Sequence, residues 1–305
     1  MPRVPARRTS LSRRYWQGMT STRLAAETLR WLPREGISRA LGRVASLESP
    51  RSLLSGAIGL YVRAYRVDLT ECEVPEGGFR SFNEFFSRPL RDGMRPLDPD
   101  PDAVLCPADG KLEDEGPIDA HARFLVKGKT YEVGELLGAA SEAARFEGGR
   151  FAVVYLSPRD YHRVHAPVDG VVTHARHVGG TLFPVNRIGV EHVPNLFARN
   201  ERVAVHLASA RHGEIVTVLV GAMVVGGIEV AFDPSIRSNQ GRPAGEICYP
   251  TPTRFSRGAE IGRFLLGSTV IVLSQACARL EPCLAPGSTV RMGQALYRRT
   301  DEEAA

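Results

Sequence analysis

The chain has 305 residues, 43% hydrophobic and 24% charged, with 30 Gly, 21 Pro and a formal net charge of +5. These proportions are those of a globular protein with room for one large domain or two ordinary ones, and they exclude collagen, coiled coil and wholesale disorder. The charge is uneven: residues 1–66 hold 13 Arg against three Glu, a local +10, so residues 67–305 carry −5.

Residues 1–15 are rich in Arg, Ser and Pro without periodicity and read as an arm. Ser12-Arg13-Arg14 resembles the start of a twin-arginine signal, but no apolar stretch follows it, so export is not expected. Three amphipathic helices come next. Ala25, Leu29 and Leu32 share one face; Ile37, Leu41 and Val44 share a second; Leu54, Ile58, Val62 and Tyr65 share a third. Trp16 and Trp31 lie among the arginines, a combination suited to helices lying in a membrane interface. Residues 1–66 therefore read as a basic membrane-binding segment. Packing against a core would explain the helices equally simply, and nucleic acid would explain the charge, but no nucleic-acid-binding motif accompanies it. With 36 Arg and only three Lys in the chain, a single arginine carries little information.

Ser81-Phe82-Asn83-Glu84 predicts a capped short helix ended by Pro89. From about Val104 the pattern changes to β-branched runs punctuated by Gly and Pro, such as Phe151–Leu156, Arg202–Leu207, Ile215–Val225 and Thr269–Leu273. The longest apolar run, Ile215 to Ile228, is bracketed by Glu214 and Glu229 and is too short to span a bilayer. The expected fold is α+β: N-terminal amphipathic helices, then a mainly antiparallel, barrel-like catalytic domain over residues 67–305. The turn phrase Pro107-Ala108-Asp109-Gly110 recurs as Pro167-Val168-Asp169-Gly170 and marks related hairpins.

Five scattered cysteines suit a reducing compartment and form no metal or redox motif. Tyr161-His162-Arg163-Val164-His165 places two imidazoles three residues apart, suited to acid–base work near neutral pH. No third ligand at metal spacing accompanies them, and His174 and His177 repeat the spacing, so no metal is expected. Gly267-Ser268-Thr269 lies between apolar runs, whereas Gly287-Ser288-Thr289 follows a turn-forming proline.

In order along the chain stand Phe82-Asn83-Glu84-Phe85-Phe86, Arg88-Pro89-Leu90-Arg91, Pro107-Ala108-Asp109-Gly110, Leu156 through His165, Asn195 through Val203, and Gly258-Ala259-Glu260 leading to Leu266-Gly267-Ser268-Thr269. Together they resemble the bacterial, membrane-associated, pyruvoyl-dependent phosphatidylserine decarboxylases, from about residue 20 to about 298. The resemblance departs at Gly227, where the family carries Ser, and in a short Arg-rich C-terminus.

The resemblance implies that Ser268 attacks the Gly267 carbonyl to form an ester, which eliminates and hydrolyses to leave a pyruvoyl group on the second chain. His165 would be the general base and Asp109 its orienting carboxylate. Phosphatidylserine would then lose CO2 through a Schiff base with the pyruvoyl group, giving phosphatidylethanolamine, with His162 binding substrate or handling its proton. It further implies two cleaved chains that stay associated, a homodimer, and peripheral attachment to the cytoplasmic face of the cell membrane, with no nucleic-acid partner. A serine hydrolase could use the same Ser268, His165 and Asp109, but G-x-S-x-G is absent. A lipoyl-type carrier would need a hairpin-tip lysine, and the three lysines all lie between 111 and 129.

Overall fold

The computed structural model describes residues 42–48, 50–185, 187–222, 227–236, 238, 245–265, 268–277 and 279–300. The first two amphipathic helices, Trp16, Trp31 and Gly267 lie outside the described residues, apart from the end of the second helix at residues 42–46.

The third amphipathic pattern forms helix α1 (Arg51–Tyr65), and its stripe is a packing face. Leu54 and Ile58 are buried against Val67, Phe79 and Phe85, while Val62 packs at the edge and Tyr65 is largely exposed. The capping box forms as expected: Ser81 accepts a hydrogen bond from the Glu84 amide and starts α2 (Phe82–Phe86). Tyr61 of α1 meets Phe82 and Phe85 edge-on, with ring centroids 5.1 and 5.7 Å away.

The strands in chain order begin β1 (Ala103–Leu105), β2 (Gly110–Pro117), β3 (Arg123–Val126), β4 (Lys129–Glu132), β5 (Arg150–Leu156), β6 (Arg163–His165), β7 (Gly170–Val178) and β8 (Arg202–Ser209). They continue with β9 (Gly213–Gly221), β10 (Ile228–Val230), β11 (Gly245–Phe255), β12 (Glu260–Phe264), β13 (Ser268–Ser274), β14 (Leu280–Pro282), β15 (Thr289–Val290) and β16 (Ala295–Arg299). Eight form one antiparallel sheet in the order β11-β7-β8-β9-β13-β5-β2-β15. The expected antiparallel domain is present, but the sheet is open: β11 and β15 are its two edges, and it does not close into a barrel.

Its centre is buried on both faces. Along β13, Val270 and Val272 enter one core while Ile271 and Leu273 enter the other, and β9 divides Ile215 and Leu219 from Val216, Val218 and Val220 in the same way. Two-sided burial explains why these strands read as continuous apolar runs rather than alternating ones. Each such side chain contributes about 1.5–3 kcal/mol of burial.

The repeated turn phrase marks an internal two-fold. In the β1–β16 ladder Ala103, Val104 and Leu105 face Arg298, Tyr297 and Ala295; in the β6–β12 ladder Arg163, Val164 and His165 face Arg263, Gly262 and Glu260, with a bulge at the same step. The phrases then enter β2 and β7, where Gly110 faces Val290 and Gly170 faces Phe255. The halves clasp reciprocally: the Leu105 amide donates to the Pro167 carbonyl (2.8 Å) and the His165 amide to the Pro107 carbonyl (2.9 Å). Each Asp also accepts a backbone amide at 2.9 Å, Asp109 from Met292 and Asp169 from Arg257. Gly110 cannot be replaced freely, because a Cβ there would lie 2.3 Å from the Tyr155 carbonyl oxygen.

Candidate active site

Ser268 opens β13 and is held from both sides, facing Leu156 of β5 and Gly221 of β9. Its side chain is fully buried. The hydroxyl lies 3.4 Å from Nδ1 of His162, which is also fully buried. Three features fix that imidazole. Its backbone carbonyl accepts the Phe264 amide (2.9 Å), its ring stacks on Phe86 of α2 (centroids 4.0 Å apart), and Nε2 lies 3.1 Å from the Ser157 carbonyl. A carbonyl only accepts, so Nε2 carries the proton and the Nδ1 lone pair faces Ser268. Burial, reinforced by the nearby Arg88 charge, pushes the His162 pKa down to about 3, so the ring is neutral at physiological pH.

Arg88 shows what the Phe82–Arg91 motif does. Buried beside α2, it donates to the Arg159 carbonyl (3.1 Å) and to the Cys72 sulfur (3.2 Å), pinning the loop that presents His162. Tyr61 of α1 donates to the Pro158 carbonyl of the same loop (3.1 Å). The sequence displayed Phe86, Arg88 and Ser157 within the motifs but gave no sign of their roles, because each acts by contact with a distant segment.

His165 sits at the clasp of the two halves. Its Nδ1–H donates to the Gly258 carbonyl (2.7 Å), and Nε2 accepts from the Tyr161 hydroxyl (3.0 Å). Burial lowers its pKa, opposed by the Gly258 hydrogen bond. Asp109 is brought into the adjacent turn, but its carboxylate is held by Arg95, whose Nε is 3.0 Å from both oxygens, and by the Met292 amide. Arg95 also reaches Glu71 (2.7 Å).

The expected contact chain from Asp109 through His165 to Ser268 is therefore not formed as hydrogen bonds. A bidentate guanidinium is the stronger partner for a carboxylate, and both nitrogens of His165 are already engaged. The structure brings the Asp109 turn against His165 at the end of β6 and puts His162, not His165, against Ser268. Arg95 was invisible in the sequence, one arginine among 36.

A cavity of about 230 Å³ borders this region, lined by Tyr161, by the arginines 66, 88, 95, 159 and 291 and by the carboxylates of Asp68, Glu71, Asp109 and Asp160. Arg66 caps the C-terminus of α1.

The family model for phosphatidylserine decarboxylase matches residues 82–298, which include Asp109, His162, His165 and Ser268. The chain belongs to the phosphatidylserine decarboxylase family. It is 42% identical over 277 residues to the phosphatidylserine decarboxylase proenzyme of Anaeromyxobacter sp. (strain K), covering 90% of this chain and 98% of that one. It is 44% identical over 272 residues to the proenzyme of the same name from Azotobacter vinelandii, covering 87% and 94%, and 45% identical over 247 residues to that of Bordetella pertussis, covering 79% and 82%. Within this decarboxylase fold Gly227 has a backbone conformation of its own. Its φ of +143° is a conformation that side-chain-bearing residues rarely adopt, and its carbonyl accepts the Leu265 amide (2.9 Å) just before the Gly267–Ser268 bond.

Proposed function

We propose that this chain converts phosphatidylserine to phosphatidylethanolamine and CO2, using a pyruvoyl group made from its own Ser268 by scission of the Gly267–Ser268 bond. The observation that carries the reading is the fully buried Ser268 hydroxyl facing the lone pair of a neutral imidazole, in a chain of this family. The site fits such a group. Residues 268–274 are hydrogen-bonded to β5 and β9 on both sides, so a new N-terminus at residue 268 would stay clamped in the sheet and the two chains would stay associated. When formed, the pyruvoyl group supplies a carbonyl that takes the substrate amine and accepts the electrons released with CO2.

For chain scission, the Ser268 oxygen must lose its proton as it attacks the Gly267 carbonyl. The family resemblance assigns that proton to His165, with Asp109 holding the turn beside it; burial keeps His165 neutral, and its Nε2 lone pair would take the proton once the Tyr161 hydroxyl gives way. His162, in contact with residue 268 itself, then serves the substrate, holding or moving a proton at that position. The 3.4 Å contact also favours a second reading in which His162 is the scission base.

Lipid attachment belongs to the same proposal. The +10 segment attracts anionic lipid, and Val44, Leu47, Leu53 and Leu60 are exposed on or beside α1. The cavity sets five arginines among four carboxylates, partners of both signs for a headgroup that carries phosphate, carboxylate and ammonium, and α1 is bonded directly to the Pro158 loop. Docking of α1 would bring that mouth to the cytoplasmic face of the bilayer. The resemblance further implies a homodimer, measurable by light scattering.

The test is release of CO2 from carboxyl-labelled phosphatidylserine in mixed vesicles. Purified protein should release it and Ser268→Ala should not; equal release by both would refute the proposal.

A further inference from the structure

Glu142, His174 and His206 come from three separate elements: the 3₁₀ helix Ala140–Phe146, β7 and β8. His174 and His206 are direct cross-strand partners whose rings stack with centroids 3.8 Å apart. Both rings have their Nδ1 atoms engaged. His206 Nδ1 lies 2.8 Å from Glu214 Oε1, and His174 Nδ1 lies 3.0 Å from the Thr173 hydroxyl, which itself donates to the His206 carbonyl. In neutral rings donating through Nδ1, both Nε2 lone pairs point at the Glu142 carboxylate.

That arrangement places acceptors against acceptors. Glu142 Oε2, His174 Nε2 and His206 Nε2 are all buried without a hydrogen-bond partner, and His206 is fully buried. Arg176 satisfies only Oε1 of Glu142. His206 Nε2 lies 3.8 Å from Oε2 and His174 Nε2 lies 3.9 Å from Oε1, both too long for hydrogen bonds, and one donor atom from each residue falls within 4.8 Å of the others. A tetrahedral ion with ligands at about 2.0–2.1 Å holds them about 3.4 Å apart, so the three donor atoms, now within 4.8 Å of one another, would draw together around the ion as it binds.

We infer that Glu142, His174 and His206 form a binding site for one first-row divalent transition ion of the zinc type, with Glu214 orienting His206 from behind. Two imidazoles and one carboxylate are borderline ligands suited to such ions, and a carboxylate on the far nitrogen of a histidine is a common supporting contact at metal sites. The sequence reading, which expected no metal, compared ligands close in the chain, and these three are brought together only by the sheet and the helix over it.

The site is structural. His206 stands level with Val216 and Leu273, whereas Ser268 stands level with Gly221, so five residues of strand, about 17 Å, separate the two. An ion here would fasten the 3₁₀ helix, already tied through Glu142 to Arg176 and Arg145 to Glu214, onto β7 and β8. Scission at residue 268 should be indifferent to it.

The test uses full-length protein without a histidine tag, stripped with EDTA, dialysed, and titrated with Zn²⁺ by calorimetry, with thermal unfolding recorded in parallel. The expected result is one Zn²⁺ per chain, a rise of several degrees in melting temperature, and reversal by chelator. Glu142→Gln and His174→Gln, which change little volume, should each weaken binding by about a hundredfold or more and remove the chelator effect, with scission unchanged. Failure of the parent protein to bind Zn²⁺ at tens of micromolar would overturn the site, as would binding and stabilisation undiminished in both variants.

Discussion

Nδ1 of His162 lies 3.4 Å from the hydroxyl of Ser268, while His165, three residues on, is turned to Gly258 and Tyr161. This division separates two experiments. His165→Ala and Asp109→Asn are expected to accumulate uncleaved chain, whereas His162→Ala is expected to cleave and then decarboxylate about 10²- to 10⁴-fold more slowly. A gel read beside a CO2 assay gives both quantities. Uncleaved His162→Ala with normally cleaved His165→Ala would transfer the base role to His162.

Stability should fall in acid in a defined window. His162 has its pKa lowered to about 3 in the folded protein, against about 6.5 when unfolded. Between those values the unfolded chain binds a proton that the folded chain refuses, so stability is full above about pH 6.5 and declines as pH falls toward 3. His162→Gln removes that titration. Urea midpoints at pH 7.5 and 4.5 should differ less for His162→Gln than for the parent, and equal differences would contradict the assignment.

Two glycines should respond oppositely to alanine. At Gly110 an added Cβ would fall 2.3 Å from the Tyr155 carbonyl oxygen, and relief of that clash is expected to cost about 2–4 kcal/mol. Gly56 is exposed within α1 with nothing within 4 Å of an added Cβ, so Gly56→Ala should stabilise by about 0.5–1 kcal/mol. Denaturant unfolding of the two variants measures both.

Membrane attachment is best tested on the exposed side of α1, since its other side packs on Phe79 and Phe85 and deleting the helix would expose that core. Leu53→Glu with Leu60→Glu leaves the packed face intact. Vesicles containing anionic lipid should retain much less of this variant than of the parent on sedimentation, and high salt should release the parent only in part, because apolar insertion is not screened. Equal sedimentation would return α1 to a purely structural role.

Much of the fold was legible because its signals are local. The capping box at Ser81 and the β-branched runs of β5, β8, β9 and β13 each depend on neighbours in sequence. The repeated Pro-x-Asp-Gly phrase was visible too, but its meaning was not. Only pairing of β1 with β16 and of β6 with β12 turns it into an internal two-fold, with His165 at the position that Leu105 holds in the other half. The site divides along the same line. Ser268, His162, His165 and Asp109 stood in recognisable motifs, while Arg95 on Asp109, Phe86 beneath His162 and the ring stack of His174 on His206 arise from long-range packing that no spacing encodes.

Self-cleavage at Ser268 is the central claim, and intact mass spectrometry of the purified protein tests it most directly. The expected spectrum shows one chain ending at Gly267 and a second starting at residue 268, the latter carrying a ketone in place of its amine and refusing Edman degradation. Ser288, whose hydroxyl bonds the Ala285 carbonyl within an exposed turn, is the internal control: Ser288→Ala should cleave normally and Ser268→Ala should stay whole. A single full-length chain with an intact Ser268 in catalytically active protein would contradict the account.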